Sequence, residues 1–508
     1  MRPSPTLGAW SGVAIDIDRD RFEEAEYVRF SERLERCLDA LGLLLRKPGF
    51  GVGDTTIGAE LELFLVDRHG HSLPENQAVL DHAADQRVTL ELDRFNLELN
   101  PSPSSLAGRP FTGLGQEMRG ALQRVRKAAA AHGGRVAMVG ILPTLGTEDL
   151  HRGAITDSPR YRALNHGIQR LRREPFRVEI AGPDGEMVAI QRDDVVLEGA
   201  NTSFQVHLRV APERFARAYN AAQLATAPVL AVAGNSPFFL GRRLWEETRI
   251  ALFEQAVDDR DEAARGRLAA RVAFGHGWVR DGALELFEES VRLHDPLLPV
   301  LADEDPLDRL AAGGLPELEE LRLHQSTVWR WNRAIYDAGY GGHLRIEMRA
   351  LPAGPTIVDM LANAAFHVGL ALAVAPSAAE WTTALPFARA NANFYQAARH
   401  GLDAELDWPA VLDEPACRIG AAELVRRLVP HARRGLERAG VAADEAERLL
   451  TVVDQRAESG QTGAVWQRRT LAALEPRLGG EQAPAAMLER YLELSDGDQP
   501  VHTWPLPA

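Results

Sequence analysis

Lysine is almost missing from this chain. Only Lys47 and Lys127 occur in 508 residues, and arginine supplies the rest of the basic charge. Neither lysine follows a glycine, so the G-x-x-x-x-G-K-[ST] phosphate loop is excluded. A lysine Schiff base for pyridoxal phosphate is disfavoured on the same ground. Phosphate chemistry in such a chain falls to arginine and metal ions. Cysteine is as scarce. Cys37 and Cys417 lie far apart in sequence, which fits a reducing compartment and leaves too few thiolates for a sulfur-ligated metal site.

Aromatics make up 6% of the residues, and no basic cluster is interleaved with them. The net charge of -15 argues against nucleic acid or an anionic membrane as the main partner. The run Arg170-Leu171-Arg172-Arg173 is short, has acidic neighbours and reads as a solvated helix face. Long apolar runs are lacking too. The most apolar window, Val368 to Ala375, contains Gly369, ends at Pro376 and is too short to span a bilayer. Met1 to Pro5 lack the apolar core of a signal peptide. The expectation is a cytoplasmic protein acting on small molecules, with no nucleic-acid or membrane partner.

Periodicity organises what is present. Helical spacing runs through 21–46, 111–132, 212–230, 243–257 and 356–375. Strand signals occupy 57–66, 136–141, 195–197, 202–210 and 344–350. The stretch 258–322 mixes charged helical pieces with Pro- and Gly-containing loops. Beyond about residue 400 strand signals vanish, and 420–475 reads as two or three helices. An α+β catalytic domain over 1–400, with a helical C-terminal portion over 401–508 packed on it, is the simplest organisation.

Strand faces carry the chemical signal, because side chains alternate with period two. In Ile57–Leu65, Glu60 and Glu62 share the face opposite Ile57, Ala59, Leu61 and Leu63. Glu98 stands opposite Leu97 and Leu99. Gln205, His207 and Arg209 stand opposite Phe204, Val206, Leu208 and Val210. Arg345, Glu347 and Arg349 share a face left by Leu344, Ile346 and Met348. One such strand is explained by the wet face of an antiparallel sheet, and Arg345 and Arg349 could simply pair with Glu347 there. Four together make a different object. Carboxylates with one histidine suit magnesium or manganese, and arginines interleaved with carboxylate suit a cavity where phosphate and metal charges are balanced.

In order and content these segments resemble the glutamate–cysteine ligase family, in its bacterial carboxylate–amine ligase branch. The matching pieces are Gly58-Ala59-Glu60-Leu61-Glu62, Glu91 through Asn100, Thr202 to Leu208, Arg345 to Arg349, and a closing Gly460-Gln461-Thr462-Gly463-Ala464 with Gln467-Arg468. The resemblance implies a curved antiparallel sheet of glutamine synthetase-like type packed with helices. It implies ATP and Mg2+ or Mn2+ as cofactors, with Glu60, Glu62, Glu91, Glu98, His207 and Glu347 as metal ligands. Arg345 and Arg349 are then placed at phosphate or substrate carboxylate, and Arg249 at the amino-acid substrate, though a helical pairing of Arg249 with Glu246 serves equally well. The implied reaction joins a carboxylate, the glutamate γ-carboxylate in the family, to an amine through an acyl phosphate. Same-fold rivals are a kinase, a ligase for another metabolite or peptide amine, a hydrolase, and a non-catalytic nucleotide binder. Trp329 and Trp331 precede the Arg-Glu-Arg strand and either line the pocket or belong to the core, the commoner place for tryptophan.

Overall fold

The period-two segments fold into a single antiparallel sheet curled into a half-barrel. The computed structural model describes residues 17–172, 174–409, 416–480 and 482–507; Met1 to Pro5 and Arg173 lie outside them. The sheet strands are β1 (Thr56–Asp67), β2 (Val88–Leu90), β3 (Asn96–Leu99), β4 (Ser104–Ser105), β5 (Gly134–Ala137), β6 (Phe204–Val210), β7 (Asn332–Asp337) and β8 (His343–Met348). Their order is β7-β8-β6-β1-β3-β2, with β4 and β5 pairing the two ends of β1. The long β1 is therefore the spine. Its Ile57, Ala59, Leu61 and Leu63 are fully buried, which fixes the register, since a slip of one residue would turn Glu60 and Glu62 into the core.

Behind the apolar face lie helices Pro110–Ala131, Phe215–Ala233 and Ile357–Val374. The middle one is apolar nearly all round and buried along its length, as expected of a helix enclosed by others. The run Ile357–Ala384 is long and apolar enough to cross a membrane by composition, yet 83% of its most apolar window is buried inside the protein. Helix Ala421–Arg438 packs against Ile357–Val374, and helix Ala443–Ser459 packs on both. The buried pair Arg456–Asp359, 2.6 Å apart, ties the last two together. A second apolar cluster closes the far end of β1. There Phe64 and Val66 meet Trp466, Met487, Tyr491 and Trp504 from the C-terminal helices.

Several local expectations are corrected. Residues 243–257 do not form one helix; Arg242–Arg243 pair as a short strand and the helix runs Thr248–Ala256. Glu247 is non-helical (φ -130°, ψ 74°) and the Trp245 amide donates to Thr248 Oγ1, so the chain turns before helix begins. Val195–Leu197 is a 3-10 turn rather than a strand, with Asp194 accepting from the Val196 amide. The strand at 136–141 covers only Gly134–Ala137. Strand structure does not end at 400, because Glu405–Trp408 and Cys417–Gly420 form a hairpin. The stretch 258–322 holds helices Ala283–Leu293, Pro306–Ala311 and Glu319–Gln325. Arg172, read as solvated, is buried and donates to the carbonyls of Glu174, Pro175, Asp258 and Arg260. Its four carbonyl partners replace water, which sequence cannot reveal.

The contact between helices 357–374 and 421–438 depends on two glycines. A Cβ on Gly435 would lie 2.0 Å from the Gly369 carbonyl oxygen, and one on Gly369 would lie 2.6 Å from that of Ala432. Backbone atoms cannot yield as a side chain can, so Gly435→Ala forces the helices apart. A destabilisation of about 1–3 kcal/mol is expected in urea unfolding, and an unchanged midpoint would show that the pair separates freely.

Candidate active site

Cross-strand register, rather than any one motif, assembles the charged face. Glu62 on β1 stands directly opposite Glu98 on β3, Glu60 opposite Gln205 on β6, and His207 on β6 opposite Glu347 on β8. Glu91 arrives from the turn after β2. The result is two groups of three donors, Glu60, His207 and Glu347 in one and Glu62, Glu91 and Glu98 in the other, with one ligand atom from each member within 4.8 Å of the others. Both groups line one cavity of about 410 Å³ on the face of the sheet opposite the helices.

The groups differ electrostatically. In the first, His207 Nε2 lies 3.1 Å from Glu60 Oε1 and 3.8 Å from Glu347 Oε1. Arg333 grips Glu347 with two hydrogen bonds of 2.6 and 3.0 Å, and Arg349 adds a third at 3.3 Å. Burial opposes ionisation of Glu347, but Arg333, Arg349 and His207 outweigh it and hold the carboxyl far below its usual range. Burial also opposes ionisation of Glu60, and His207 with Arg349 again prevails.

The second group has no such compensation. Burial and the charges of Glu62 and Glu198 push Glu91 up to about 8. Burial with Glu60, Glu91 and Glu62 raises Glu98 well above its normal value, and burial raises Glu62 despite Arg349. Polar neighbours hold these carboxylates in place: the Ser203 amide and Gln205 Nε2 donate to Glu62, and Asn100 Nδ2 and Thr89 Oγ1 to Glu98. Fixed, half-buried carboxylates of like charge facing each other fit a bound divalent cation. The all-oxygen set of the second group and the imidazole-containing first group both suit magnesium or manganese.

The structure thus brings together Glu60, Glu62, Glu91, Glu98, His207, Glu347, Arg345 and Arg349, all of which line the cavity. Arg345 pairs with Asp337 at 2.8 Å rather than with Glu347; burial lowers its pKa to about 10 and Asp337 offsets part of the effect. Arg249 is outside the lining. It is 2% exposed, pairs at 3.0 Å with Glu247 and not Glu246, and also donates to the Ala350 carbonyl. Glu246 is taken instead by Arg468 of the closing motif, at 2.6 Å. Trp329 lines the cavity while Trp331 is core. Sequence reasoning missed Arg333, Asp337 and Glu198. The first two share the face of β7 opposite Ala334 and Tyr336, as Arg345 and Glu347 share the face of β8 opposite Leu344 and Ile346, a signal that was present. Glu198 follows an irregular turn, where no periodicity marks it; burial and Glu62 push it to about 8.

A curled antiparallel sheet packed with helices is a fold of glutamine synthetase-like type, and its open face here gathers acids, one imidazole and arginines. The chain belongs to glutamate-cysteine ligase family 2, whose profile it matches over residues 56–490. Among solved structures, glutamate–cysteine ligase from Francisella tularensis in complex with AMP is similar in fold, with a TM-score of 0.54 at 12% identity, covering 90% of this chain and 91% of that one. A bifunctional glutathione synthetase from Pasteurella multocida gives a TM-score of 0.48 at 12% identity, covering 91% of this chain and 53% of that chain. No curated protein matches the sequence. The family supports a ligase.

The raised carboxyls have a consequence for stability. Glu91 and Glu198 keep their protons in the fold up to about pH 8 but lose them near 4.5 when unfolded, so their contribution is lost as pH rises through 8. Glu60 and Glu347 are shifted downward, and their linkage falls below 4.5, outside this window. In metal-free buffer the thermal midpoint should drop between pH 6 and 9, and added magnesium or manganese should restore more at pH 9 than at pH 6. A metal effect independent of pH would contradict the donor assignment.

Proposed function

We propose that this protein is a glutamate–cysteine ligase-like, ATP-dependent carboxylate–amine ligase that joins a substrate carboxylate, the glutamate γ-carboxylate, to an amine through an acyl phosphate. The observation that carries this reading is the pairing of two three-donor groups with arginines inside one cavity. A carboxylate oxygen attacks the γ-phosphorus of ATP, the bond to the leaving ADP oxygen breaks, and the acyl phosphate forms. The amine nitrogen then attacks the acyl carbon, loses a proton and expels inorganic phosphate.

Glu60, His207 and Glu347 would hold one divalent cation, and Glu62, Glu91 and Glu98 a second. When bound, these ions neutralise the crowded anions and polarise the phosphoryl oxygens. The protein's own work is positioning and fixed charge. Arg345 and Arg349 present permanent positive charge to the transferred phosphoryl group, and Arg333 keeps Glu347 ionised and correctly turned. Arg249 acts from behind, holding Glu247 and the backbone after Arg349 rather than touching substrate. The reaction needs no covalent enzyme intermediate, and Cys37, deep in the core, takes no part. The reading places the enzyme in the cytoplasm, where ATP and free amino acids are available.

The test is incubation with ATP, magnesium and glutamate across a panel of amines, measuring phosphate release and product mass together. Amine-dependent release with a new mass of glutamate plus amine minus water is expected. Glu60→Gln and Glu347→Gln should each lower kcat by about 10²–10³-fold with the fold intact. Phosphate release indifferent to amine would indicate a kinase or phosphatase instead, and product without ATP would indicate a hydrolase running in reverse.

A further inference from the structure

Five arginines line the cavity: Arg160, Arg322, Arg333, Arg345 and Arg349. Four are balanced by protein carboxylates. Arg322 pairs with Glu317 at 3.2 Å, Arg333 and Arg349 with Glu347 at 2.6 and 3.3 Å, and Arg345 with Asp337 at 2.8 Å. Arg160 differs. Among the described residues no carboxylate oxygen lies within 4.0 Å of its guanidinium, and its one hydrogen bond runs from Nη2 to Ser326 Oγ at 3.3 Å.

The position is an unfavourable one for a lone cation. Arg160 occupies the first turn of helix Pro159–Leu171, where the helix already presents partial positive charge. Burial lowers its pKa, and Tyr161 and Glu91 offset that only in part while Arg333 adds repulsion. A half-buried guanidinium with no carboxylate within ion-pair distance is open to a planar bidentate anion as its partner. Leu164, one turn further along the same helix, and Trp329 line the same cavity. Apolar surface beside the cation suits the methylenes of an amino acid better than a polyphosphate.

We propose that Arg160 binds the α-carboxylate of an amino-acid substrate, the carboxylate that is not activated, and thereby selects α-amino acids over simple acids and amines. This rests on the ligase reading above. Donor and acceptor amino acids share that group, so the substrates themselves must tell which one Arg160 holds.

The experiment compares wild type with Arg160→Gln and Arg160→Lys, using glutamate against its α-amide as donor and cysteine against cysteamine as acceptor. Arg160→Gln should raise KM for the carboxylate-bearing partner by about 10- to 100-fold, change kcat far less and leave KM for ATP alone. Wild-type preference within that one pair should collapse toward unity, and lysine should restore part of it. Equal losses with and without the α-carboxylate, or a loss falling on ATP, would overturn the assignment. The same four ligands are also titrated calorimetrically onto wild type and both variants, without turnover. If no ligation occurs, the ligase reading fails on its own. The titration still decides for Arg160, which stands only if wild type discriminates by the α-carboxylate and Arg160→Gln does not. Matching far-ultraviolet spectra and melting points for the variants guard against a folding artefact.

Discussion

Two glutamates placed directly opposite each other, Glu62 on one strand and Glu98 on the next, set the terms for the rest of this protein. Facing like charges destabilise a sheet, and burial makes the repulsion stronger. The fold accommodates them because the other face of the same strands is entirely apolar. Ile57, Ala59, Leu61, Leu63, Leu97 and Leu99 are inaccessible to solvent and lock the register that holds the acids in place. The apolar burial behind the sheet therefore sustains the unfavourable electrostatics in front of it.

The near absence of lysine takes on meaning in that setting. Every cavity cation is an arginine, and arginine keeps its proton under all conditions of biological interest. The balance around Glu347 is accordingly fixed, with Arg333 and Arg349 on one carboxylate and His207 within 3.8 Å. Lysine in the same places would lose protons to burial and blur the charge that the donor groups require. The contrast between the compensated first group and the uncompensated second follows from which strands carry the arginines. Arg333 stands on β7, Arg345 on β8 and Arg349 just beyond it, beside the first group; in the second group Arg349 and Arg249 offset burial only at Glu62.

Much of this was legible beforehand, for a definite reason. Glu60, Glu62, Glu98, His207, Arg345 and Glu347 lie on strands and Arg349 directly follows one, so alternation assigns each side chain to a face without knowledge of the partner strand. The curved sheet and the expectation of a ligase came from the family likeness that the order of those segments carries. Glu91 came from the family likeness alone, since it sits in a turn. Glu198 lies beyond a 3-10 turn that reads like a strand, and Arg160 opens a helix whose surface charges look ordinary; neither has a periodicity to betray it. Partners were illegible for another reason. Arg249 chooses Glu247 over Glu246 because the helix begins only at Thr248, so Glu246 is not one helical turn before it, and Glu246 finds Arg468 more than two hundred residues away.

The far end of β1 is closed by the last part of the chain. Tyr491 donates to the Met138 carbonyl and accepts from Asn235, and it packs with Trp466 and Trp504 in the cluster that covers Phe64 and Val66. During synthesis the strand bearing Glu60 and Glu62 thus leaves the ribosome more than four hundred residues before the side chains that seal its end. At roughly 5–20 residues per second the half-made sheet waits on the order of tens of seconds with apolar surface uncovered. Contacts of such sequence separation also form slowly. The nascent chain is a natural client for chaperones until the side chains that cover the end of β1 have emerged.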